Sequence, residues 1–455
     1  MSAPARRVTL RIEPGRRVGG SARVPADKSI AHRWLMLAAT AEGRSVLRGL
    51  PPSLDVIRTA GALVALSSVS QPGLETWLAQ AAAEGETGTR EGLGEVTVEG
   101  EGRLGLREAG DPIDCGNSGT TMRLLAGLVA ACPFETSLVG DESLLRRPMD
   151  RVAEPLSAMG ASVTTVDGHA PVTVVGGRLR GIRHETTVPS AQVKTAVLLA
   201  GLCAEGETVV LERVPTRDHT ERVLRALGAP LSVEDGAVAV SAFQHGLLTG
   251  IVPGDPSAAA FLCGASVLTG SEITIQRVGL NPSRTRFLDV FRRMGADVQT
   301  KTTDHSLGEP IGDLRVSAPS GLRGVTVGTN ELPFVIDDVP ILALVASGAS
   351  GPTRFEGAGE LRVKESDRLA GLADGISDLG GRARVEGDTL IVEGGGTGGG
   401  RTDARRDHRL AMAFAVGALA SRGPSEVTGI EWASVSFPGF ARTLERLGAA
   451  LEVGR

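Results

Sequence analysis

Residues 287–298 read FLDVFRRMGADV, and the tail of that stretch, MGADV at 294, has four relatives. They are MGASV at 159, LGAPL at 227, LGGRA at 379 and LGAAL at 447, so the five starts lie 68, 67, 85 and 68 residues apart. Each follows an amphipathic stretch such as RVLRALGAP (222–230), and the first four precede an alternating one such as LSVEDGAVAV (231–240). That order predicts a helix, a glycine just past its end in the left-handed conformation, and then a strand. A sixth, degraded copy falls at GALVALS (61–67), where the pattern is broken by an insertion over 67–95.

A second element recurs in step with the first. It is an Ala/Leu-rich helix with a polar first turn: VPADKSIAHRWLMLAA (24–39), DCGNSGTTMRLLAGLVA (114–130), VPSAQVKTAVLLAGL (188–202), VPGDPSAAAFLCGASVL (252–268), VIDDVPILALVAS (335–347) and RRDHRLAMAFAVGAL (405–419). Helices apolar nearly all round must be buried. Six buried helices, six amphipathic ones and many short strands predict six α+β units. We divide them into two similar three-unit domains, 22–247 and 1–21 with 248–455, with a cleft between and the N-terminal strand given to the second.

Composition excludes several classes. The 455 residues are 41% hydrophobic and carry a net charge of −5, which favours neither nucleic acid nor a membrane surface. Aromatics are 3% and Tyr is absent, so base-stacking platforms are not expected. The four cysteines, Cys115, Cys132, Cys203 and Cys263, form no C-x-x-C pair, which argues against a zinc site or a disulfide framework and for a reducing, cytoplasmic setting. No signal core and no stretch of ~18 apolar residues is present. GEGRLG at 100 and GGGTGG at 394 match a dinucleotide fingerprint, but neither opens a predicted helix; the Gly run 394–400 reads as a mobile turn.

The polar residues gather where helices begin. Lys28, Ser29 and Arg33 open the first buried helix, Asn117, Ser118, Thr120 and Arg123 the second, and Ser190, Gln192 and Lys194 the third. Asp337 and Asp338 open the fifth, and Asp407, His408 and Arg409 the sixth. Arg146 and Arg147 precede Pro148, placed at a helix's first position; Arg217 lies in PTRDHTE, and VKESDR (363–368) sits at a strand-to-helix junction. Ser, Asn and Asp are ordinary helix caps. Cations are not explained by capping, since a helix N-terminus favours anions. An acidic chain with Lys28, Arg33, Arg123, Arg147, Arg217, Lys364, Arg368 and Arg409 at such places is built to hold small, highly charged anions. On a helix, Lys364 and Arg368 would share a face, with Glu365 about 100° away.

The ordered set DKSIAHR (27–33), CGNSGTTMR (115–123), GDESLLRRPMDR (140–151), PSAQVKTA (189–196), TRDHTE (216–221), PGDPSAAAF (253–261), RVKESDR (362–368) and DHRLAM (407–412) resembles the enolpyruvyl transferases over nearly the whole chain. The resemblance implies an α+β fold of two similar domains, each of three βαβαββ units, forming an inside-out α/β barrel with the active site in the cleft. It implies transfer of the enolpyruvyl group of phosphoenolpyruvate to the 5-hydroxyl of shikimate 3-phosphate by addition and elimination. Lys28, Ser29, Arg33, Ser190, Ala191, Gln192, Arg217, Asp337 and Lys364 are then expected at shikimate 3-phosphate. Lys28, Gly119, Arg147, Gln192, Arg368 and Arg409 are expected at phosphoenolpyruvate, where glyphosate competes. Asp337, Lys364, Glu365 and Lys28 would be catalytic, with no metal and no organic cofactor. The expected partners are the two small-molecule substrates alone, with no nucleic acid and no membrane, and the chain is expected to act as a cytoplasmic monomer.

The chemistry suits these residue types. The hydroxyl attacks C2 of phosphoenolpyruvate while C3 gains a proton; phosphate then leaves and C3 returns a proton, a task for Glu365, while Asp337 relieves the hydroxyl. The substrates bring ~6 negative charges, which the cations answer. Two departures stand out. Val435, in SVSFPGF (434–440), stands where some members carry Lys, and Asp338 changes the usual IDE. A sister activity on UDP-N-acetylglucosamine would want Lys-Asn at 28–29 and a loop cysteine near Arg147. A non-catalytic anion-binding repeat would lack Glu365 or Asp337.

Overall fold

A computed structural model of the chain describes residues 7–84, 94–103, 105–318 and 320–454. The five helix–glycine–strand junctions take one form. Gly160, Gly228, Gly295, Gly380 and Gly448 have φ between 74° and 114°. At Gly295 its N–H donates to the Arg292 carbonyl (2.9 Å) and the Ala296 N–H to that of Phe291 (3.0 Å), and the other four junctions repeat this pair of bonds. A side chain here would cost roughly 1–2 kcal/mol; glycine avoids that, and the two bonds satisfy carbonyls that the helix end leaves open.

Among the described residues the strands form six small sheets. In one, Ile113–Asp114 runs parallel to Glu135–Val139, which pairs antiparallel with His169–Val175 and so with Ser162–Val166. With the helices Gly119–Val129 and Asp150–Met159 this is a βαβαββ unit. The sheets over 183–240 and 326–392 repeat it. The last unit is completed by the N-terminal strand Thr9–Glu13, inserted between Ser425–Thr428 and Ala450–Gly454.

The first and fourth units exchange their opening strands. Gly20–Ala22 pairs with Glu272–Gly279, while Thr249–Ile251, past residue 247, pairs with Glu42–Arg48 in the first half. The chain therefore crosses between halves at 23–27 and again at 252–255. The crossings bond to each other, Asp27 N–H to the Pro253 carbonyl and Asp255 N–H to that of Pro25, both at 2.8 Å. One hydrophobic core takes residues between Ala26 and Val252; the other takes Leu10 to Val24 and Ala258 to Ala449. The predicted apolar helices are the centre of each: Lys28–Ala39, Gly119–Val129 and Ala191–Gly201 in the first, Pro256–Leu268, Val339–Ser347 and His408–Leu419 in the second. Gly127 permits one close approach, since a Cβ there would lie 2.3 Å from the Ala196 carbonyl oxygen.

Three expectations change. The insertion carries a helix, Pro72–Glu84, that buries Leu74 and Trp77 against the strand Glu95–Glu101, leaving that unit a three-stranded sheet; residues 85–93 lie outside the described residues. Residues 394–400 are tied rather than mobile. Gly395, Gly396 and Gly398 N–H donate to the carbonyls of Ala349, Ser347 and Leu379 (2.7–3.0 Å), and a Cβ on Gly400 would lie 2.2 Å from the Asp378 oxygen. Pro148 precedes its helix, which begins at Asp150 after the cap Met149. GEGRLG includes Leu104, outside the described residues; its glycines 100 and 102 end a strand.

Candidate active site

The starts of all six buried helices open onto one cavity of about 350 Å³ between the two cores. Asp27, Ser118, Ser190, Asp255 and Asp407 cap their helices through side-chain oxygens, at 2.7–3.4 Å from backbone N–H groups. The caps leave later first-turn side chains free to face the cavity, into which the positive ends of six helices point. Nine cations line it (Lys28, Arg33, Arg123, Arg147, Arg151, Arg217, Arg284, Lys364 and Arg409) against five carboxylates (Asp55, Asp255, Asp337, Glu360 and Glu365). An acidic chain thus concentrates positive charge in its cleft, which focuses the field on an anion.

Every residue expected at the substrates lines this cavity except Arg368. Lys28 pairs with Asp55 at 2.7 Å. Arg33 is buried and committed: Nε donates to Thr220 Oγ1 (2.9 Å), Nη1 to the Ser29 carbonyl (2.8 Å) and Nη2 to Thr195 Oγ1 (2.8 Å). Gln192 donates to Thr120 Oγ1 (2.8 Å) and accepts from Arg123 Nη1 (2.6 Å). Arg147 is less engaged, with Ser143 Oγ at 3.4 Å, Glu365 at 3.8 Å and its buried Nε unpartnered. Arg217 reaches across the cleft onto Asp337. Arg409 donates to the Asp337 carbonyl and lies 3.7 Å from Asp338.

Residues 364–367 are not helical. A 3-10 turn ends at Val363, Lys364 is extended, and the α-helix starts at Arg368 behind the cap Asp367. The predicted shared helix face is therefore absent, and a bend brings Lys364, Glu365 and Arg368 together. Arg368 stands behind the cavity, its Nε and Nη2 on Asp407 (2.8 and 3.2 Å) and Nη2 also 2.6 Å from Glu365. Burial raises the Glu365 carboxyl, but Arg368 and Arg147 outweigh it and hold it well below the usual carboxylate range. Asp337 is likewise held down, against burial, by Arg217 and Arg409. Burial pushes the Lys364 ammonium down, partly offset by Asp337, and Lys364 has no ion pair within 4 Å among the described residues.

Some singled-out residues do not reach the cavity. Arg146 is exposed, and Lys194 is buried between Glu212 and Glu221 at 2.7 and 2.6 Å. Cys115 is buried and its thiol is pushed up to about 12, chiefly by burial, which suits packing and not nucleophilic attack. Sequence reasoning passed over Asp55, Arg284 and the Arg151–Glu360 pair (2.9 Å), which crosses the cleft. Arg284 had a signal: NPSRTRF (281–287) occupies the same place in its unit as PTRDHTE in the third, the loop before the amphipathic helix. His408, read only as part of a helix start, also lines the cavity; burial and then Lys28 push its imidazole well below the ordinary range, and its Nε2 is unpartnered. Among the described residues no cluster of His, Cys, Asp and Glu could hold a metal ion.

The family described as EPSP synthase (3-phosphoshikimate 1-carboxyvinyltransferase) matches residues 12–444. A 3-phosphoshikimate 1-carboxyvinyltransferase of Halorhodospira halophila is 46% identical over 97% of this chain and 97% of its own. One from Methylococcus capsulatus is 43% identical over 98% and 99%. The solved EPSP synthase of Acinetobacter baumannii superposes with a TM-score of 0.84 at 37% identity, covering 98% of this chain and 100% of its own.

Proposed function

The chain belongs to the EPSP synthase family, and from that premise we propose how its cavity does the work. It is a 3-phosphoshikimate 1-carboxyvinyltransferase. It moves the enolpyruvyl group of phosphoenolpyruvate to the 5-hydroxyl of shikimate 3-phosphate, releasing phosphate, on the route to chorismate and the aromatic amino acids. The observation that carries the assignment of roles is one cavity in which nine cations face five carboxylates, with residues from both cores.

Shikimate 3-phosphate lies on the first core's side. Ser29, Ser190 and Ala191 at two helix starts, with Lys28 and Arg217, hold its phosphate; Arg33 fixes the shape of that floor, since four of its five N–H donors are already used. Phosphoenolpyruvate lies against Gly119, Arg147, Gln192 and Arg409, with Arg368 held behind Glu365. Asp337 takes the proton of the 5-hydroxyl as C2 is attacked, and that proton leaves with the departing phosphate as hydrogen phosphate. Arg217, drawn from Asp337 onto the phosphate of shikimate 3-phosphate, leaves that carboxylate free to accept the proton. Glu365 gives a proton to C3 and later takes one back when phosphate departs. In the free site its cations oppose protonation; an anion arriving on Arg147 weakens that opposition and lifts the carboxyl toward a working range. Lys364, its ammonium weakened by burial, neutralises charge as the phosphate leaves.

The two cores serve as domains that close on the substrates about the crossings at 23–27 and 252–255, and the enzyme works as a monomer in the cytoplasm. Among the described residues no helix is long and apolar enough to cross a membrane. Incubating the pure protein with phosphoenolpyruvate and either shikimate 3-phosphate or UDP-N-acetylglucosamine, and following phosphate release, tests the substrate. Release with the second acceptor alone would overturn it.

A further inference from the structure

One turn occurs twice in this chain. Asp27–Lys28–Ser29 opens the first buried helix, and Asp255–Pro256–Ser257 opens the fourth. In each, the aspartate Oδ1 accepts from the serine N–H, at 2.7 and 2.8 Å. Both turns sit where the crossings meet. Arg284, 2% exposed, lies between them. Its Nη2 donates to Asp255 Oδ1 (2.9 Å) and Ser257 Oγ (3.0 Å). Its Nη1 lies 3.4 Å from Asp27 Oδ2 and donates to Ser29 Oγ at 3.4 Å. Asp27 Oδ2 makes no hydrogen bond, and among the described residues Arg284 is the cation that comes within 4 Å of it.

We infer that Arg284 is a positioning residue for shikimate 3-phosphate: its fork spans the two turns and aims the Ser29 hydroxyl at the substrate phosphate. A guanidinium only donates, so Ser29 Oγ must accept from it, and the serine's own hydrogen is left to donate to an anion. The two arms of the fork hold the two turns at a fixed spacing. A lysine carries the same charge as a single point and cannot span both turns. The inference rests on the assignment of Lys28 and Ser29 to shikimate 3-phosphate.

The test compares Arg284→Lys, Ser29→Ala and the double variant with wild type. It reads calorimetric Kd for shikimate 3-phosphate, KM for each substrate, and the thermal unfolding midpoint. Arg284→Lys is expected to weaken shikimate 3-phosphate about tenfold, the scale of one charge-assisted contact, and to change the phosphoenolpyruvate KM less than about threefold. Because Arg284 acts through Ser29, the double variant should bind no worse than the poorer single one. Effects that multiply, an equal rise in both KM values, or a folded Arg284→Lys with wild-type Kd would overturn the role. If Arg284→Lys does not fold, Ser257→Ala loosens the far arm of the fork. It should weaken shikimate 3-phosphate about threefold, and an unchanged Kd would sink the proposal. A wild type that does not bind shikimate 3-phosphate would instead remove the substrate assignment.

Discussion

Glu365 is asked to carry a proton from a place that opposes carrying one, 2.6 Å from Arg368 and 3.8 Å from Arg147. Its proton therefore depends on the substrate's own charge. Glu365→Gln should leave shikimate 3-phosphate binding nearly intact and lower turnover by at least ~10²-fold, the scale of a positioned acid or base. Lys28→Met should weaken binding as well, because it removes a charge contact and strands Asp55. Rapid-quench turnover and calorimetry separate the two; wild-type turnover in Glu365→Gln would end the proton-shuttle assignment. Gly119 makes a different residue-scale case. A Cβ there would lie 2.8 Å from Arg123 Nη1 and 3.3 Å from Arg147 Nη1, both ends of flexible side chains, so the fold absorbs it and the cations move. Glyphosate, expected in the phosphoenolpyruvate site, is the longer ligand and meets the new methyl first. Gly119→Ala should raise its inhibition constant by more than it raises the phosphoenolpyruvate KM. An unchanged inhibition constant would mean that this glycine does not border the anion.

At the scale of the element, the helix Lys28–Ala39 carries its function on its first turn and a cost in its middle. His32 donates to or accepts from Thr59 Oγ1 at 2.6 Å, its Nε2 is buried without a partner, and burial pushes its imidazole down to about 3. The unfolded chain takes that proton below about pH 6.5 and the folded one does not, so stability must fall as pH drops from 6.5 toward 3. His32→Asn keeps a partner for Thr59 and should make the loss between pH 7 and 5 smaller by about 2 kcal/mol in urea unfolding. An unaltered pH slope would show that folded His32 does titrate there. Such elements were legible because their signals are local. The five positive-φ glycines and the six apolar helices follow from spacing and composition, and five of the six caps from the residue at each start. What could not be read was settled by contacts distant in sequence. The exchange of Gly20–Ala22 and Thr249–Ile251 between sheets leaves no mark in either strand. Nor does 394–400 announce that its peptides bond to Ser347, Ala349 and Leu379. VKESDR failed as a helix because Asp367 caps the next one, so its convergence is made by a bend that periodicity does not describe.

For the whole molecule, the balance lies between cations gathered from two cores and the few pairs that cross the cleft to join them. Arg217 onto Asp337, Arg151 to Glu360 at 2.9 Å and Arg147 to Glu365 at 3.8 Å hold the two sides together. Against them stands the excess of nine cations over five carboxylates, which no crossing pair removes. The partly exposed pairs are worth at most about 1 kcal/mol each and weaken with salt, so they close the cleft only weakly beside the buried His219–Glu309 contact (2.7 Å) that also joins the halves. A ligand carrying a phosphate and a carboxylate reverses the sign of the largest opposing term, and only the closed form brings both sets of cations to it. Shikimate 3-phosphate should therefore shrink the radius of gyration in small-angle scattering, and Arg217→Ala should reduce that change by removing one of the cations that hold the phosphate. A radius that is already small and stays constant on adding ligand would show that the crossing pairs suffice by themselves. A large radius unmoved by ligand would show that the cations on the two sides do not share one substrate.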